Sequence, residues 1–322
     1  MKAKRFVKDW ALPLSMMTGA LGYFVCRSLP LAPALREQIR ESISYVQPTL
    51  IFCMLTLTFC RIRPSDMRLR GWQGWLLLLQ AGTAVLLCLL HQSVRDDSVR
   101  LLLQSAMLCF LCPTATAAAV VTTKLGGNAG TLTAYTLLVN LCAALLFPAL
   151  IPLVNPAEDM SFWLSFRLIV CRVFPLLIFP LLVAFFIRHA FPGLLRVFTA
   201  VPDLPFYIWT VSLSLAIAVT TRIIVHADVT LSACLVIALG SVVACAVQFA
   251  AGRMVGRRYG DDISAAQACG QKNTILAIWV GYTFLHPLTA LAGGFYSIWH
   301  NVYNSWQLYR KTQSSCPQKV DI

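Results

Sequence analysis

The chain has 322 residues, of which 58% are hydrophobic and only 12% charged, about half the charged fraction of an ordinary soluble domain. With a mean hydropathy of +0.71, this excludes a soluble globular protein. The 26 Lys and Arg exceed the 13 Asp and Glu by a net +13, yet they collect in short loops and form no stripe interleaved with stacking aromatics, which argues against nucleic acid.

Apolar runs of about 20 residues, each long enough as a helix to cross the roughly 30 Å hydrocarbon layer, recur from end to end. Spans are expected near 10–29, 45–62, 72–91, 100–123 and 130–154, then near 164–187, 205–225, 230–252, 263–284 and 288–309. The fold class is therefore an all-α polytopic membrane protein with ten transmembrane helices. The opening MKAKRFVKDW has the charge of a signal peptide but no evident small-residue cleavage site, so it reads as the flank of a retained first span. The short loops leave no room for a soluble domain. If both termini share a side, seventeen basic residues fall there, among them Lys2, Lys4, Arg5, Lys8, Arg63, Arg257, Arg258 and Lys319, against eight opposite. Both termini should be cytoplasmic, in an inner or plasma membrane. The twelve cysteines lie almost entirely inside apolar runs and read as buried small hydrophobes. The pair Cys109 and Cys112 has no second pair to complete a zinc site, so no metal is expected.

Two spans are unlike the rest. The fourth runs into CPTATAAAVVTTKLGG, where Pro113, four threonines and Gly126–Gly127 interrupt the apolar pattern. The ninth reads SAAQACGQKNTILAIW, with Gly270 to Thr274 at membrane depth. They sit five spans apart, an offset that reverses the direction of crossing, and so occupy corresponding places in two inverted halves, residues 1–158 and 159–322. Paired broken segments of this kind point to a transporter binding site near the bilayer midplane. Kinked helices packed through small residues are the plainer alternative. No mid-membrane acid, metal cluster or Ser/His/Asp set accompanies them, so no enzyme is expected.

At these residues the sequence resembles the bile acid:sodium symporter (BASS) family. The resemblance rests on CPTATAAAVVT, on GQKNTILA and on HPLTALAGGFYSIWHNVYNS, with a weaker match at TLTFCRIRPSDMR, and covers nearly the whole chain. It implies two inverted five-helix repeats. Spans 1, 2, 6 and 7 would form a panel domain, and spans 3–5 and 8–10 a core in which broken helices 4 and 9 cross. The implied activity is transport of an organic anion, a bile-acid-like amphipath or a small carboxylate, by alternating access. By position, Thr116 and Asn273 match the family's substrate contacts, with Thr114 and Thr274 beside them and His300 and Asn301 further along the wall.

The departures are specific. The fourth-span Ser-Asn pair that helps bind sodium in the family falls on Ala118 and Ala119, the ninth-span Glu on Ala268, and the Gln after its Gly on Lys272. Thr136 alone remains as an oxygen ligand, and a methyl group cannot coordinate a hard cation. The resemblance thus implies degenerate sodium sites and sodium-independent transport, with Lys272 in place of the ion's charge. All thirteen acids fall in loops or at span ends, so Lys272 has no mid-membrane carboxylate. Such an ammonium can lose its proton, borrow backbone carbonyls or take its counter-charge from a ligand. A sodium-coupled symporter using Thr123, Thr133 and Asn140, or a non-transporting receptor, are the alternatives. No cofactor is expected; the partners are the anion and the lipid bilayer, and the chain is expected to act as a monomer.

Overall fold

The structure is a computed structural model that describes residues 11–30, 32–62, 65, 67–156, 160–201, 204–226 and 230–314. The N-terminal basic cluster, Arg63 and Lys319 used above for orientation lie outside the described residues, as do Asp9, Asp66, Glu158, Asp159, Asp203, Asp228, Asp321 and the boundary between the two halves.

Among the described residues the secondary structure is helical. The helices are α1 (Ala11–Ser28), α2 (Pro33–Arg61), α3 (Gly71–Ser93), α4 (Asp97–Leu111), α5 (Ala118–Leu125), α6 (Ala129–Val154), α7 (Phe162–Ala190), α8 (Pro192–Ala200), α9 (Leu204–His226), α10 (Leu231–Arg257), α11 (Asp262–Gly270), α12 (Thr274–Phe284) and α13 (Ala290–Ser314). Six of them, α2, α3, α6, α7, α9 and α10, are each long and apolar enough to cross a membrane. Their outward faces carry large apolar side chains, such as Leu78, Phe185, Phe186 and Leu239, each more than half exposed. In water such a surface would drive aggregation; against lipid it costs nothing. The protein is an all-α membrane protein.

The helix starts follow from local chemistry. Side chains of Asp96, Asn128, Ser161, Thr230 and Asn273 accept hydrogen bonds from the first free backbone N–H groups of α4, α6, α7, α10 and α12. Gly126 ends α5 at φ 85°, a left-handed conformation that glycine adopts without strain. Two elements differ from expectation. Helix α2 begins at Pro33, a dozen residues before the expected span, because PALREQIRES is a charged helical stretch that apolarity does not reveal. Helix α8 was not anticipated; it is a short amphipathic segment on which Leu195 and Phe198 pack inward while Leu194 and Val197 stay exposed, the pattern of a helix lying in the membrane interface.

Packing divides the helices into two groups. In the first, α1 lies along α9, and α2 packs on both α7 and α9. Gly19 permits the α1–α9 approach, since a Cβ there would overlap the Ser214 carbonyl. Arg188 at the end of α7 donates to Cys60 O at 2.8 Å and to Ile62 O, closing the end of α2. In the second group α10 packs on α4, α11 and α13, α3 on α4 and α6, and α12 on α13. Helix α6 packs on α7 and joins the groups through an apolar core that includes Ile51, Leu55, Phe147, Val173, Leu213 and Ile278.

Candidate functional site

The chain leaves helical geometry twice within apolar segments. Between α4 and α5 residues 112–117 are non-helical, and between α11 and α12 so are residues 271–273. Both lie within the segments whose polarity marked them in the sequence. The cause of the first is Pro113, which has no N–H to give the Cys109 carbonyl four residues earlier.

The two interruptions meet. Ala115 N donates to Gln271 O at 2.8 Å and Asn273 N to Pro113 O at 2.9 Å, which makes an isolated antiparallel bridge between Thr114 and Lys272. Thr114 and Lys272 are 158 residues apart, and the same shift converts one of these hydrogen bonds into the other. It also converts a pair of side-chain bonds. Thr114 Oγ1 donates to Ala268 O at 2.6 Å, and Lys272 Nζ donates to Phe110 O at 3.4 Å. Each bridge residue therefore closes the C-terminal end of the half-helix opposite.

The carbonyls released by the breaks are otherwise met from neighbouring helices. Gln80 Nε2 of α3 donates to Phe110 O at 3.0 Å, and Gln248 Nε2 of α10 reaches Cys109 O at 3.4 Å. Tyr296 of α13 donates to Gly270 O at 2.8 Å and accepts from Gln248 at 3.2 Å, while Tyr135 of α6 donates to Gln80. Gln80 and Gln248 were missed in the sequence. Their signal is a single glutamine in an otherwise apolar run, LLLLQAG and ACAVQFA, a polar residue costly in lipid unless it answers another polar group.

Lys272 is 1% exposed and among the largest fully buried side chains. The titratable groups around it include the thiols of Cys109, Cys112, Cys142, Cys245 and Cys269, and among the described residues no carboxylate pairs with it. Its Nζ meets the C-terminal end of α4, where the helix dipole places roughly half an elementary negative charge. A pocket next to Phe110, lined also by Gln80, Val139 and Cys142, is about 10 Å³, one water at most.

The other candidate residues divide. Thr274 opens α12 and is buried, as is Asn273, whose Oδ1 accepts from Leu276 N at 3.2 Å while its Nδ2 has no partner among the described residues. Thr116 is half-buried in the turn before α5, a helix whose start has no side-chain cap. His300 is buried with its ring edge-on to Tyr296, centroids 5.8 Å apart, and Nδ1 unpartnered among the described residues. The Asn301 amide is spent on Ser297 O one turn back, at 2.6 Å. No hydrogen bond among those described joins His300 or Asn301 to the bridge.

Ala118 and Ala268, both fully buried, fall in one apolar cluster with Trp72, Leu76, Leu132, Tyr135 and Val139, and Ala119 packs against it. Thr136 lies on the helix segment lining that cluster, its hydroxyl donating to Leu132 O at 3.0 Å. Of the alternative oxygens, Thr123 Oγ1 is turned back onto Ala119 O at 2.9 Å, and Thr133 is buried. Asn140 donates to Thr136 O at 2.6 Å and keeps an unpartnered Oδ1. The cysteines described are free thiols, six of them buried.

No family model matches the chain, and no curated protein matches it. The site is therefore defined by its own geometry: two broken segments joined through their backbones, with one buried lysine at the junction.

Proposed function

We propose that the chain is a secondary transporter of an organic anion that works by alternating access, with Lys272 taking the place of a bound sodium ion's charge. The observation that carries this reading is the bridge itself: two helix breaks that pair across the protein and enclose a cation with no carboxylate partner among the described residues. Irregular backbone in a membrane protein is tolerated where it is enclosed by protein or lines a cavity, and a cation held there favours an anion as ligand. The start of α5 beside Thr116 has no side-chain cap and adds the positive end of a helix dipole.

Two inverted five-helix halves forming ten spans are supported by the 158-residue shift. It exchanges Asn128 with His286, each of which caps the element that follows, and Thr131 with Thr289, whose hydroxyls donate to Asp261 Oδ2 and Gln104 Oε1, both at 2.6 Å. The packing group of α1, α2, α7 and α9 corresponds to the panel and the remaining membrane helices to the core. Sodium independence is supported by Ala118 and Ala268 themselves, whose methyl groups stand where the resemblance expects sodium ligands and offer no side-chain oxygen to a hard cation. Thr114 and Lys272 are buried, so the ligand enters when the two groups separate.

The test is uptake and equilibrium binding of a radiolabelled bile acid and of a small hydroxy acid by the protein in sealed vesicles, with sodium replaced by choline. Accumulation that survives the replacement is expected. Strict dependence on sodium assigns the unpartnered Asn140 oxygen and its neighbours to a rearranged sodium site, and binding without accumulation assigns a receptor.

A further inference from the structure

Away from the bridge, a groove of about 460 Å³ opens on the surface between the first turns of α3 and the end of α10, lined by Trp75, Leu78, Leu79, Val255, Arg258 and Tyr259. Its walls are apolar, and Trp75 and Leu78 are 60% and 65% exposed. Tyr259 closes one end by packing on Gly71, where a Cβ would come within 2.8 Å of the ring. That end carries the charge. Arg258 lines the groove, and Arg70 and Arg257, its neighbours in the chain on either side of this contact, are also exposed.

The nearby acids among the described residues do not cancel this charge, since only Asp261 stands unpaired with a basic residue against the three arginines. Asp262 is paired with Arg253 at 3.3 Å, and Asp261 Oδ2 accepts from Trp72 Nε1 at 3.0 Å and from Thr131. The occupant must therefore be apolar along most of its length and anionic at one end. Trp and Tyr beside arginine mark the depth at which a membrane's headgroups begin, and basic pockets between membrane helices select anionic headgroups there.

We propose that this groove binds one anionic phospholipid, with an acyl chain along Leu78, Leu79 and Val255 and the phosphate on Arg258. A zwitterionic lipid leaves the surplus positive charge unanswered. Free phosphate leaves the apolar walls unused.

The experiment is native mass spectrometry of the purified full chain with phosphatidylglycerol, with phosphatidylcholine of the same chains, and with glycerol phosphate, alongside fluorescence quenching by phosphatidylglycerol brominated on its acyl chain. One phosphatidylglycerol is expected to be retained where phosphatidylcholine and glycerol phosphate are not. Arg258→Gln should weaken that copy by on the order of fivefold, the worth of one interfacial arginine. Arg258→Lys should keep it and Val255→Trp, which fills the groove, should remove it. Trp75→Phe should remove a quenched component. Equal retention of the two lipids, glycerol phosphate retained as well as phosphatidylglycerol, or phosphatidylglycerol binding unchanged in Arg258→Gln would overturn the proposal. So would Arg258-dependent retention of a bile acid but not of phosphatidylglycerol.

Discussion

The two helix breaks do the same structural work with different chemistry. In the first, six residues leave helical geometry, Thr114 supplies a neutral hydroxyl to Ala268 O, and the following helix starts without a side-chain cap next to the partly exposed Thr116. In the second, three buried residues suffice, Lys272 supplies an ammonium to Phe110 O, and Asn273 caps the following helix. A hydroxyl is enough to close a half-helix, so the positive charge of Lys272 is more than the backbone requires. The first break is closed by a neutral hydroxyl and the second by a lysine.

The largest test concerns the packed apolar cluster that holds Ala268. Ala268→Glu restores the residue that the BASS resemblance places there, but into a fully buried apolar cluster. Thermal unfolding should show a loss of more than about 3 kcal/mol, unrelieved by sodium; stabilisation by sodium would mean that oxygens missing from this cluster are available after all.

Gly270→Ala probes how tightly the second break is held, because a Cβ at that position would overlap the Phe249 ring. At the equivalent position 158 residues earlier the first break carries Cys112, so only the second requires glycine. Overpacking should cost about 1–3 kcal/mol in denaturant unfolding, and a neutral result would show that α10 can yield.

Thr114→Val removes the hydroxyl and leaves Ala268 O buried without its donor, which should cost about 1–3 kcal/mol. Thr114→Ser should recover most of it. If valine and serine melt alike, the 2.6 Å bond does not hold the bridge.

Lys272→Thr copies the first break's chemistry into the second. Stability should change least of all, while affinity for an organic anion falls about tenfold, the effect of about 1.4 kcal/mol. Unchanged affinity in equilibrium binding would separate Lys272 from the ligand and leave it a purely structural donor.

Much of this was legible in the sequence. Pro113 and the run Gly270–Thr274 mark where helices cannot continue, and α4 and α11 end at Leu111 and Gly270. The charged opening of α2 and the short helix α8 were not, because apolar runs reveal spans rather than interfacial or protruding helix. Gln80 and Gln248 escaped notice because their value depends on carbonyls supplied by other helices, far away in the chain, and Tyr296, which reads in the sequence as a wall of an apolar site, instead donates to Gly270 O. Asn301, prominent beside His300 in the sequence, spends its amide on its own helix, a competition that residue type does not show.

Composition alone determined that this is a helical membrane protein, since a chain 58% hydrophobic and 12% charged can satisfy its backbone in lipid by forming helices. Local sequence also determined where helices fail, since a missing N–H or side chain acts within one turn. Only the tertiary structure decided that the two failures pair with each other, that Lys272 answers Phe110 as Thr114 answers Ala268, and that Ala118 and Ala268 are buried in one apolar cluster. These outcomes depend on partners more than a hundred residues apart, brought together by packing that no local pattern encodes.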